Sequence, residues 1–77
     1  MTASPRDWLG VAVEAFDRGS WEAAAVAAGV YLEIVEAFGV RAVAASEGYR
    51  RDTVVKAAVQ AETIRAEAAR RLAEGPS

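Results

Sequence analysis

The chain has 77 residues, 53% of them apolar and 26% charged, with a formal net charge of −2 and neither cysteine nor histidine. Such a length allows one domain, and a domain this small buries only about 60% of the surface its unfolded chain exposes. Without cysteine or histidine there is no disulfide staple, no thiol redox chemistry and none of the usual ligands for zinc, haem or other transition metals, so no cofactor is expected. Association with a second copy or a partner chain is the stabilising device that remains.

Charge is unevenly spread. Residues 1–40 set Arg6 and Arg18 against Asp7, Glu14, Asp17, Glu22, Glu33 and Glu36, whereas residues 41–77 set Arg41, Arg50, Arg51, Lys56, Arg65, Arg70 and Arg71 against Glu47, Asp52, Glu62, Glu67 and Glu74. An acidic front and a mildly basic back attract each other within a chain or between chains. The basic excess is well below that of a dedicated nucleic-acid binder. MTASPRDW lacks a basic region followed by an apolar core, so no secretory signal is expected. The apolar run Ala23–Leu32 is about half a membrane span and is followed closely by Glu33, Glu36 and Arg41. These features predict a soluble, cytoplasmic protein with no membrane partner, and the preference for arginine over lysine, with abundant alanine, points to a bacterial source.

In chain order, Ser4-Pro5 predicts a helix start, with serine as N-cap, proline in the first helical position and Asp7 against the positive end of the helix dipole. Trp8, Leu9, Val11, Ala12, Ala15 and Phe16 fall on one arc and Asp7, Gly10, Glu14, Asp17 and Arg18 opposite, which predicts an amphipathic helix over 5–18. Gly19 closes it, and Ser20 is placed to cap the next helix, with Glu22 in its first turn.

The second predicted helix, 20–38, is different in kind. Trp21, Ala24, Ala28, Leu32 and Val35 share one face, while Ala23, Ala27, Val30, Ile34 and Phe38 cover another; the polar strip of Glu22, Gly29, Glu33 and Glu36 is narrow. A helix apolar over most of its circumference is expected to be buried on most sides, more than two or three short helices of one chain can cover. Gly39 ends it. A short helix over 40–47 follows, then a break within SEGYRRD, because a continuous helix would put Glu47, Arg50 and Arg51 on the apolar face. Asp52 is expected to cap a last helix over 52–74, whose apolar stripe is Val54, Ala57, Ala58, Ala61, Ile64, Ala68 and Leu72. Residues 75–77 form a tail. The predicted fold is all-α: a small four-helix bundle with a short third helix, one domain over 1–77, completed by oligomerisation.

With Trp8 upstream, the stretch AFDRGSWEAA resembles a single tetratricopeptide-repeat hairpin: an aromatic near the end of the first helix, glycine at the turn, an aromatic two residues on, then small Ala24. The resemblance spans residues 8–36. The closing proline of that family is missing and no second copy follows at its period, so no solenoid is implied. Similar hairpins open HEPN-type helical domains (higher eukaryotes and prokaryotes nucleotide-binding); those that cleave RNA use an arginine–histidine signature, which a chain without histidine does not supply.

Residues 14–38 also admit a second parse. Ala25, Gly29-Val30, Val35 and Phe38 stand where a helix-turn-helix places its small residue, turn and anchors, and with VEAFDRGSW the stretch resembles the start of tetracycline-repressor-type regulators. The piece between Gly19 and Gly29 is too short for that family's second helix. The would-be recognition helix, YLEIVEAF, carries two carboxylates and no cation, opposite to what phosphate neutralisation and base readout require.

Few residues suggest chemistry. Glu33 and Glu36, with Glu14 and Glu22, raise a carboxylate metal site as an alternative, but the Glu-x-x-His pattern of di-metal bundles is missing; a solvated or salt-bridged strip on a buried helix is the preferred reading. Arg65 sits inside the apolar stripe of the last helix. Either its stem covers core while its head reaches water, or it pairs with Glu33 or Glu36 across a helix contact at a subunit interface. Tyr49, Arg50 and Arg51 read as an exposed loop or as a small anion or RNA contact. Phosphate loops and nucleophile–base arrangements are missing, so no enzyme is expected. The sequence thus predicts an interaction or regulatory module acting as a homodimer or with a protein partner, with Trp21, Ala28, Leu32, Val35, Phe38, Ile64 and Leu72 as candidate interface residues. A nucleic-acid-binding regulator of helix-turn-helix type is the alternative.

Overall fold

The computed structural model describes residues 4–75; Met1–Ala3 and the tail residues Pro76 and Ser77 lie outside the described residues. Four helices follow one another: α1 (Pro5–Asp17), α2 (Trp21–Phe38), α3 (Val40–Glu47) and α4 (Arg51–Glu74). The fold is all-α.

Local sequence accounts for where the helices stop. After α1, Gly19 adopts φ 75°; its N–H donates to the Phe16 carbonyl (3.0 Å) and the Ser20 N–H to that of Ala15 (2.8 Å). This is the paired termination that a left-handed glycine makes possible. The same device recurs after α3, where Gly48 is left-handed (φ 73°, ψ 23°) and the Tyr49 N–H donates to the Ala44 carbonyl (2.9 Å). Between α2 and α3 a single residue, Gly39, at φ 87° and ψ 151°, turns the chain by 106°. A side chain there would be strained.

Helix starts match expectation less closely. Only the start of α1 is as expected: Ser4 is its N-cap and Pro5 its first residue, and the Ser4 N–H donates to Asp7 Oδ2 at 3.1 Å. Ser20 stands before α2, but its hydroxyl makes no capping hydrogen bond. Asp52 is not the N-cap of α4. Arg50 holds that position in an extended conformation, because the turn at Gly48 leaves only two residues before the chain is helical again, and Asp52 falls in the first turn.

Helix α2 runs without a break through Gly29, which is not among the glycines with positive φ. It is flanked by α1 on one side and α4 on the other. Trp21 lies near Arg71 and Gly29 near Arg65, so α2 and α4 are antiparallel. The interior is built mostly of alanine. Ala12, Ala15, Ala24, Ala28, Ala61 and Ala68 are completely buried, and Tyr31 and Val54 are the largest fully buried side chains. Small residues at the crossing points let helix axes approach closely. The larger residues Trp8, Leu9, Phe16, Trp21, Leu32 and Ile34 are left half-buried around this interior.

That arrangement covers more of α2 than its composition led one to expect from a single chain. Ala24, Ala27, Ala28, Tyr31 and Val35 are buried, and the face left exposed is the strip containing Glu22, Val26, Glu33, Glu36 and Ala37. Two other positions depart from the helical patterns. Val11 is 45% exposed while Val13 is half-buried in its stead, since the arc of α1 facing α2 is centred on Ala12 and Ala15. Leu72 is 47% exposed, because α4, at 24 residues, is longer than the 18-residue helix it packs on.

Candidate interaction surface and an enclosed corner

The candidate interface residues divide between the chain's interior and its surface. Ala28, Val35 and Ile64 belong to the chain's own core. Burial against α1 and α4 removes them from any free surface, a correction to the expected interface. Trp21 and Leu32 are half-buried, and Phe38 (69%) and Leu72 (47%) are exposed. Val26, which sequence reasoning did not single out, is 60% exposed. Together with Trp21, Ala23 and Leu72 it lines an open trough beside the Gly19-Ser20 turn. Phe16 meets Trp21 edge-on at 5.2 Å between ring centres, and the Arg71 guanidinium lies 5.1 Å from the centre of the Trp21 ring.

Arg65 is exposed, as are Glu33 and Glu36. Its stem crosses α2 where a side chain is lacking: Cδ of Arg65 lies 4.0 Å from where a Cβ on Gly29 would stand. Within the chain it pairs with neither glutamate. The ion pairs among the described residues all lie within α4, joining Glu67 to Arg70 and Arg71, and Glu74 to Arg70. Arg70 first, then Arg71, hydrogen-bond the Glu67 carboxylate and hold its pKa down at about 2. The same partnership raises that of Arg70.

A second feature joins residues far apart in sequence. The α3–α4 turn folds onto the start of α1, where Glu47 Oε2 accepts a hydrogen bond from the Arg6 backbone N–H at 3.1 Å. The Arg6 N–H is one of the donors that a helix start leaves without an intrahelical partner. Above this bond the Arg6 guanidinium lies 5.2 Å from the centre of the Tyr49 ring. Beneath it is a cavity of about 150 Å³ lined by Arg6, Leu9, Tyr31, Glu47, Tyr49, Thr53, Val54 and Ala57. Burial, and secondarily the nearby Glu47 charge, push the Tyr31 phenol above its ordinary 10.0.

Sequence reasoning set Tyr49 beside Arg50 and Arg51. In the structure Arg6 covers the Tyr49 ring, while Arg50 and Arg51 are exposed at the start of α4. A contact spanning 41 positions leaves no periodic trace in the sequence. Because α2 is continuous at Gly29, no recognition helix begins there. Among the described residues, no three acidic side chains come together as a metal site would require. Compared with protein-family models, with curated proteins and with solved structures, the chain finds no match.

Proposed function

We propose that this small all-helical protein is a non-enzymatic interaction module whose function is exerted by pairing with a second copy of itself. The observation that carries this reading is the apolar surface left on α2 and beside it. Among the described residues Val26 and Phe38 are the most exposed large apolar side chains, and Val26 shares its trough with Trp21 and Leu72. Exposed apolar surface grouped with polar surroundings is the usual mark of an association site. Charge supports a like partner. Glu33 and Glu36 lie exposed on α2 and Arg65 on α4, so two chains brought face to face can exchange cation for carboxylate where one chain does not. A different protein with a complementary groove is accommodated by the same surface. A nucleic-acid partner is less well supported, since the exposed strip of α2 is acidic.

Light scattering coupled to size exclusion, at micromolar concentration, is expected to give about twice the chain mass, with Val26→Glu and Leu72→Glu reverting to one chain. A folded, monodisperse single chain for the unaltered protein would overturn the proposal. Comparing Arg65→Ala with Arg65→Met tests the charge exchange; if both retain the unaltered assembly and melting temperature, the arginine contributes no pairing.

A further inference from the structure

The cavity between the start of α1 and the α3–α4 turn takes no part in the pairing surface, yet it gathers polar groups around apolar walls. Buried tyrosine hydroxyls nearly always have a hydrogen-bond partner. Tyr31 is 2% exposed, and the side-chain hydrogen bonds of the described residues leave its hydroxyl without one. Nor is that hydroxyl an orphaned buried atom among the described residues, and Tyr31 lines the cavity. Among the described residues, Glu47 accepts through Oε2, from the Arg6 N–H, and Oε1 has no partner there.

From this juxtaposition we infer that the corner is a binding site for a small organic cation, a ring-sized amidinium or guanidinium. It would donate to the Glu47 carboxylate and hydrogen-bond the Tyr31 hydroxyl, with its body against Val54 and Ala57. The lining carries one cation, Arg6, and one carboxylate, Glu47; once the Arg6 side chain is displaced, Glu47 sets the sign of the guest. A carboxylate repels anions, and tyrosine ring faces attract cations. Arg6 already shows that the corner accepts a guanidinium, since the chain's own lies on Tyr49; being exposed, it can be displaced. Size follows from the volume. A cavity of about 150 Å³ is known to hold a benzene-sized ring when its walls are apolar. A phenol is neutral near pH 7, and burial with the Glu47 charge only pushes its pKa further up, so it both donates and accepts. The guest's charge can come from a free amidine or from an arginine side chain of a partner protein.

The test is an NMR titration with benzamidine, N-acetylarginine amide, neutral benzamide and anionic benzoate. Benzamidine is expected to saturate in the millimolar range, moving the signals of Tyr31, Tyr49 and Val54, while benzamide and benzoate do not. Glu47→Gln should weaken it by about tenfold or more, as loss of a charged hydrogen-bond partner does, and Tyr31→Phe by about fivefold. Arg6→Ala removes the competing cation but keeps the backbone N–H that holds Glu47, so binding should tighten, a gain that a misfolded variant does not produce. Saturation by the blocked arginine in place of benzamidine supports the site and assigns it to a partner's side chain. Absence of saturation by either cation, an equal response to benzoate, or weaker binding in Arg6→Ala overturns it. None of these readouts depends on whether two chains pair.

Discussion

Each end of the bundle places an arginine over an aromatic ring, but the two ends are built differently. At the α3–α4 corner, Arg6 of α1 lies over Tyr49 at 5.2 Å, with a long-range hydrogen bond to Glu47 beside it and buried Tyr31 beneath. At the opposite end, Arg71 of α4 lies over Trp21 at 5.1 Å, supported by Glu67 one turn earlier on its own helix, and the surroundings are open. Both arginines cross to another element, but the carboxylate beside Arg6 comes from a distant part of the chain, whereas the one beside Arg71 comes from its own helix. The first arrangement can define a cavity. The second leaves apolar surface available to another molecule.

The contrast can be broken most directly at Tyr31. Tyr31→Ala removes the largest buried side chain of the closed end and should cost about 3–5 kcal/mol, the range for burying and then deleting a large aromatic, measured by denaturant unfolding. A loss below that of Arg71→Ala would abolish the distinction. Glu47→Ala leaves the first turn of α1 without its tertiary acceptor and should cost about 1 kcal/mol, the typical worth of a helix cap. Faster amide exchange at Arg6 would accompany it.

Gly29 lies midway along α2 and belongs to neither end. Gly29→Ala should stabilise the protein by about 0.5–1 kcal/mol, since alanine restricts the unfolded chain and the added Cβ meets Arg65 only at van der Waals distance. Destabilisation instead would mean that the backbone turns there. At the open end, Arg71→Ala should cost only about 0.5 kcal/mol, as for an exposed cation on a ring.

The smallest effect concerns acid. Because the Glu67 pKa is lowered from 4.5 to about 2, its contribution is fully present above 4.5 and fades as the pH falls towards 2. The group is partly exposed, so salt should screen the effect. A carboxyl titration midpoint near 4.5 in the folded protein would show that the Arg70 and Arg71 contacts do not persist in solution.

Much of the fold was legible from local chemistry. The left-handed glycines Gly19, Gly39 and Gly48 fall where hydrophobic periodicity breaks, and the continuity of α2 followed from its apolar run and from the implausibility of an acidic recognition helix. Boundaries were less legible. Asp52 is a strong capping residue, yet Arg50 occupies the N-cap because the geometry of the preceding turn decides where the chain re-enters a helix. For the candidate interface residues, exposure was only half legible. Trp21, Phe38 and Leu72 do reach the surface, whereas Ala28, Val35 and Ile64 are consumed by the interior. A helical pattern gives the face a residue occupies but does not give the number of neighbours that cover it.

By itself, the sequence determined the class of fold, the four helices and the three glycine turns, because capping, left-handed backbone and 3.6-residue periodicity act over a few residues. It also determined that thiol and imidazole chemistry have no place here. Only the tertiary structure decided how much of α2 a single chain can cover, which apolar residues remain outside, and that Arg6, Tyr31, Glu47 and Tyr49 meet at one corner. Those outcomes depend on how closely alanine-lined helices approach and on contacts across tens of residues, and neither is encoded in the neighbourhood of any one position.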